Sequence, residues 1–267
     1  MPRNPLQLIQ RVGSAGQIAD AGMGHLKRNG GATKEGETAL WLRHGLPEMT
    51  DEDRDAGEAR SRKMVMFAPF ALTLLGLCIA VPLHVFTAPT SLAKMLNLCK
   101  NYDLEYIALA TVIIVKVVVW QNIYPMIYKA RIMKGNSGNL RANMSIYRVV
   151  GSEIESGGVS SHVVLDDEGD VGMYNRANRS LAHLTENLVA FVLPMLLSGL
   201  FYPKHALVLT GVWAAGRYLH ATGYTTKYGS HGLGFGLSTL ATVTAEGLLT
   251  NIALLCFASK LGLNPEN

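Results

Sequence analysis

Charge is what this sequence has little of. Asp, Glu, Lys and Arg make up 16% of the 267 residues, against about 25% in a typical soluble domain. The shortage is concentrated in blocks: residues 64–86 contain none of the four. A net charge of +4 is too small to point to nucleic acid, and no such partner is expected. Cysteine is scarce too. Cys78, Cys99 and Cys256 lie far apart with no CxxC pair, so neither a zinc motif nor a disulfide framework is indicated, and no metal is expected. Internal repeats and low-complexity tracts are absent.

What remains is apolar residues (49% of the chain) in long runs. Crossing the hydrocarbon region of a bilayer takes about 20 of them in succession. Residues 64–86 meet this cleanly, 106–128 with Lys116 alone, 187–203 as a short clean run, 205–226 with Arg217 and 233–259 with Glu246. The expected fold is an all-α integral membrane helix bundle of five spans, surrounded by membrane lipid. The short connection around Lys204 predicts a tight antiparallel hairpin between the third and fourth. Arg60, Arg62, Lys63, Lys129, Arg131, Lys134, Arg176, Arg179 and Lys227 fall on one side. By the positive-inside rule, the N-terminus and the loop at 129–183 then face the cytosol or the mitochondrial matrix.

Residues 1–63 form a polar, Gly-rich extension whose composition would leave it disordered alone. Its opening, with Arg3, Arg11, Lys27 and Arg28 against Asp20, fits either a mitochondrial presequence or an ordinary basic tail. Within the long loop, the stretch around 163–165 suggests a small β-hairpin.

Ionisable groups within spans are costly, and their placement is informative. Asn175, Arg179, His183 and Glu186 follow steps of four, four and three, which is one face of a helix entering the third span. Arg217, His220 and Tyr224 follow steps of three and four on the next. Two such stripes can line one polar site, with Arg179, His183 and Glu186 facing the bundle interior near Tyr224. They can equally serve only to bind helices together. Lys116 can snorkel or pair with Glu246.

Tyr174-Asn175-Arg176-Ala177-Asn178-Arg179 and the later Glu186-Asn187 resemble the FNxxQR signature and following glutamate of the membrane-associated eicosanoid and glutathione metabolism family. Gly199 to Pro203, Val212-Trp213, Arg217 and Gly223-Tyr224 resemble its third-helix pattern. The resemblance covers about residues 104–260, a microsomal glutathione transferase-like four-helix domain with an enlarged loop at 129–183. The 64–86 helix is then an addition. It implies a homotrimer with glutathione between subunits. Arg179, Glu186 and Tyr224 match its glutathione contacts, Lys129 and Arg131 the basic pair ending its first helix, and Arg217 its third-helix arginine. Three positions depart. His183 replaces an asparagine, His220 a tyrosine, and His231, with Lys227 close by, stands near the arginine that favours the thiolate. A permanent cation lowers a thiol pKa; an imidazole, mostly neutral at pH 7.5 in water, does so poorly.

Two functions follow. The departures, the added span and the enlarged loop suit a subunit of a larger membrane assembly with other subunits as partners and a partly eroded glutathione site. The retained residues suit an active membrane glutathione transferase or peroxidase acting on apolar electrophiles or lipid hydroperoxides. The presequence-like start points to the mitochondrial inner membrane, with the endoplasmic reticulum as the alternative.

Overall fold

The computed structural model describes residues 49–87, 91–133, 144–154, 158–226 and 229–262. The presequence-like opening and Lys227 lie outside these described residues. In chain order the elements are α1 (Asp51–Thr87), α2 (Leu92–Asn101), α3 (Glu105–Ile123), α4 (Met126–Ile132), β1 (Tyr147–Ile154), β2 (Gly158–Leu165), α5 (Gly169–Gly199), α6 (Pro203–Thr226) and α7 (Gly232–Lys260).

Four segments are long and apolar enough to cross a membrane: Asp51–Phe86, Glu105–Ile132, Gly169–Gly199 and Gly232–Lys260. Of the apolar window in α1, only 11% is buried, and Phe67, Phe70, Leu74 and Phe86 all stand exposed. A surface of that kind is stable against hydrocarbon and sticky in water. α6 falls short on apolarity because it carries Arg217, His220 and Tyr224. Its 24 residues still reach about 36 Å at 1.5 Å per residue, and it packs antiparallel to α5 and α7. The protein is an all-α membrane bundle with a two-stranded antiparallel hairpin, in which Val149 pairs with Val163. Pro125 separates α3 from α4, since its ring cannot continue a helix ladder.

The core lies where α3, α5, α6 and α7 meet, around Ile114, Leu184, Phe191, Met195 and Trp213. Phe191 and Trp213 stack with centroids 4.7 Å apart. Below them the α6–α7 contact is backbone on backbone. A Cβ on Gly216 would sit 2.6 Å from Ser238 N, and one on Gly234 2.1 Å from His220 N. Small residues give membrane helices this approach, and it fixes His220 against the start of α7.

α1 begins at Asp51, thirteen residues before the apolar run. Tertiary contacts rather than composition hold that polar start. Glu58 and Asp170 both bind the Arg131 guanidinium, and Gly57 packs on Ala130. Lys116 donates to the Pro69 carbonyl at 3.2 Å, while Glu246 stands exposed on α7; the Lys116–Glu246 pair does not form.

Candidate functional site

α5 carries the first stripe, and its four polar residues divide between three tasks. Asn175 is buried. Its Nδ2 donates to the carbonyls of Ile146 (2.7 Å) and Asp166 (2.6 Å), and its Oδ1 accepts from Ile146 N at 2.9 Å. These bonds clamp the two ends of the β-hairpin to α5. At the hairpin base Arg148 bridges to Asp167 and Glu168, and the Glu168 hydrogen bond holds the Arg148 guanidinium above its ordinary pKa.

Arg179 and Glu186 pair with each other at 3.2 Å, with side chains 55% and 52% exposed. This differs from the interior placement expected for them. Seven residues is close to two helical turns, so the two share an edge of α5, but that edge looks outward from the chain. Only His183, between them, turns toward α6. The shared face was correctly spaced; what packs against it depends on the neighbouring helices.

Arg217 is the centre of the site. It is 2% exposed. Nη1 lies 2.9 Å from His183 Nδ1 and Nη2 donates to the Ser180 carbonyl at 3.1 Å. A guanidinium only donates, so Nδ1 of His183 accepts and its proton sits on Nε2. Both partners are neutral, and no carboxylate pairs with Arg217 among the described residues. From there an aromatic column runs down α6. His183 stacks on His220 (4.8 Å), His220 on Tyr224 (5.8 Å), and His231 meets Tyr224 edge-on at 4.9 Å. Arg217 Nε, His220 Nδ1 and His231 Nδ1 are buried without hydrogen-bond partners among the described residues.

A cavity of about 190 Å³ opens beside this column, lined by His183, Asn187, Trp213, Arg217, Phe235 and Thr242 among others. The structure brings His183, His220 and Tyr224 from the two spaced stripes into contact, and adds His231, which the family resemblance rather than spacing singled out. Spacing missed Ser238, Thr239 and Thr242, hydroxyls that α7 adds to the cavity wall; their recurrence at helical spacing was the available signal. Lys129 and Arg131 lie at the α4 end instead. Arg131 is engaged by Glu58 and Asp170, so only Lys129 of that basic pair is outside an ion pair among the described residues. No group of three or more His, Cys, Asp or Glu is placed to hold a metal ion among the described residues; His183 and His220 stack face to face, and His231 meets His220 edge-on.

A bundle of apolar helices around a buried cation defines an integral membrane protein with an internal polar cavity. The chain belongs to the MAPEG family, whose model matches residues 106–250. The match begins within α3, leaving α1 and α2 outside it. Comparisons with curated proteins and with solved structures return no match.

Proposed function

We propose that this protein is a glutathione-binding, transferase-like subunit of a larger membrane assembly, with weak thiol activation. The observation that carries the binding claim is Arg217: a buried guanidinium with neutral partners, on the wall of a cavity of about 190 Å³. An uncompensated buried charge is expensive to the folded state, and a carboxylate entering the cavity would compensate it. Glutathione offers two carboxylates and one ammonium. Arg217, Arg179 and Lys129 suit the first, and Glu186 the second. Family membership favours glutathione over other anions. The half-exposed Arg179–Glu186 pair lies on an outward edge of α5, which is where a neighbouring copy would complete a site in a homotrimer.

Weak activation rests on His231, which faces Tyr224 where a permanent cation would best stabilise a thiolate. At neutral pH a free thiol of pKa about 8.5 is only a few per cent thiolate. In conjugation, the thiolate sulfur bonds to the ring carbon of an aryl halide, the halide departs with the bonding pair, and the thiol proton goes to solvent. The assembly role draws support from the hairpin, where Tyr147, Val149, Val163 and Leu165 present an exposed apolar face, and from the added α1. We place the assembly in the mitochondrial inner membrane. The retained Arg179, Glu186, Arg217 and Tyr224 are what favour the alternative, an active transferase or peroxidase on apolar electrophiles or lipid hydroperoxides.

A pH–rate profile with glutathione and a reactive aryl halide tests the reading. The native protein should turn over slowly, with an apparent thiol pKa near 8.5. His231→Arg should raise the rate at pH 7 by roughly tenfold, the effect of lowering a thiol pKa by about one unit. Arg179→Ala should weaken binding. A fast native rate reporting a pKa well below 8, and lost in Arg179→Ala, would make the protein an enzyme in its own right. Stoichiometric copurification with other membrane subunits checks the assembly.

A further inference from the structure

α1 creates a second cavity, far from the histidine column in sequence and outside the family-matched region on its α1 side. It measures about 520 Å³ and lies between the polar start of α1 and α4. Its floor is the close contact of Gly57 with Ala130, where an added Cβ would stand 3.1 Å from the Ala130 carbonyl oxygen. Met49, Met64, Met126 and Met133 line it, together with Arg60 and Lys129. Methionine makes an adaptable wall for flexible apolar chains.

The charges around it are unevenly used. Arg131 takes Glu58 and Asp170, and Arg62 takes Glu58 again. That leaves Arg60 and Lys129 outside any ion pair among the described residues, both on the wall of the cavity. Asp53 also lines it, one carboxylate against two cations. The position is equally specific. Arg60 stands four residues before Met64, where the uncharged run of α1 begins, and Lys129 is in the last turn of α4. Both are therefore at head-group depth on the cation-rich side of the bilayer. Basic pockets between spanning helices on that side suit anionic lipid head groups.

We propose that the α1–α4 cavity is a binding site for an anionic phospholipid, its phosphate between Arg60 and Lys129 and the start of an acyl chain against the four methionines. A free phosphate shares the head-group chemistry but would leave the methionine wall unused. The site shares Lys129 with the glutathione reading, but Arg60 belongs only to this one, so its loss tests the lipid site separately.

The test uses the full chain in phosphatidylcholine nanodiscs, titrated with phosphatidylglycerol or with inorganic phosphate, and read by native mass spectrometry and thermal unfolding. Phosphatidylglycerol should be retained on the native protein and raise its unfolding temperature, while millimolar phosphate does neither. Arg60→Gln should lower retention at least fivefold. Lys63→Gln, an equal loss of charge nearby, should change it less than twofold, and so should Arg179→Ala, which separates this site from the glutathione site. Equal losses in Arg60→Gln and Lys63→Gln would reduce the effect to general surface charge and overturn the proposal. Phosphate acting as well as the lipid would overturn the lipid assignment. If Arg60→Gln fails to fold, Met126→Trp, which fills the cavity and keeps both cations, must lower retention; unchanged retention there overturns the proposal too.

Discussion

Arg217 is held by an imidazole nitrogen and a backbone carbonyl, neither of which carries the charge needed to balance it. The carbonyl does not depend on it, because Gln121 Nε2 also donates to Ser180 O at 2.8 Å. Replacing Arg217 by methionine would therefore orphan only His183 Nδ1 while removing a buried charge. Replacing buried ionic groups by apolar side chains of similar volume is often neutral or stabilising by about 1–4 kcal/mol, and the orphaned nitrogen returns about 1–3 kcal/mol of that. The ligand-free Arg217→Met protein should thus unfold at a temperature equal to or above that of the native protein, as measured by thermal unfolding in detergent. A pronounced loss of stability would mean that Arg217 is a structural strut. At this scale the sequence was partly legible. Helical spacing picked out His183, His220 and Tyr224 because they sit on facing stripes, whereas His231, the residue just before α7, came only from the family resemblance. Spacing could not assign Asn175 to the hairpin, since that depends on where Ile146 and Asp166 return.

Among the elements, the α6–α7 contact does most to place the site. Gly216 and Gly234 face one another across it, and each leaves room only for backbone. Adding one methyl at Gly234 would drive Cβ into His220 N at 2.1 Å, which no rotamer change can relieve. Overpacking of this kind costs about 1–3 kcal/mol or more. Gly234→Ala should lower stability by that amount and displace His220 and His231 from Tyr224, whereas Gly236→Ala, with open space around it, should be close to neutral. Thermal unfolding of the two variants side by side is the check. The helices themselves were readable from gaps in charge, but their limits were not. α1 starts at Asp51 because Glu58 meets Arg131 from a helix more than seventy residues away, a contact that local pattern cannot express. The outward aspect of Arg179 and Glu186 is of the same origin: a period of 3.6 defines a face, not its neighbour.

At the largest scale, the described residues from 49 to 262 form two polar ends joined by apolar helices. At one end lie the start of α1, α4, the hairpin and the end of α6, tied by Arg131 to Asp170 and by Arg176 to the Thr225 carbonyl at 3.1 Å. At the other, Lys204 pairs with Asp103 at 2.8 Å. The histidine column runs inward from the first end, so an anion reaching Arg217 would enter from the cation-rich side of the membrane. Binding, rather than turnover, is the central claim, and titration of glutathione into the purified full chain in phosphatidylcholine nanodiscs tests it most directly. The account predicts saturable binding by the native protein and a loss of about 10- to 100-fold in Arg217→Met, the range for charge-assisted hydrogen bonds worth about 1.5–3 kcal/mol. No saturable binding by the native protein, or an affinity unchanged in Arg217→Met, would contradict it.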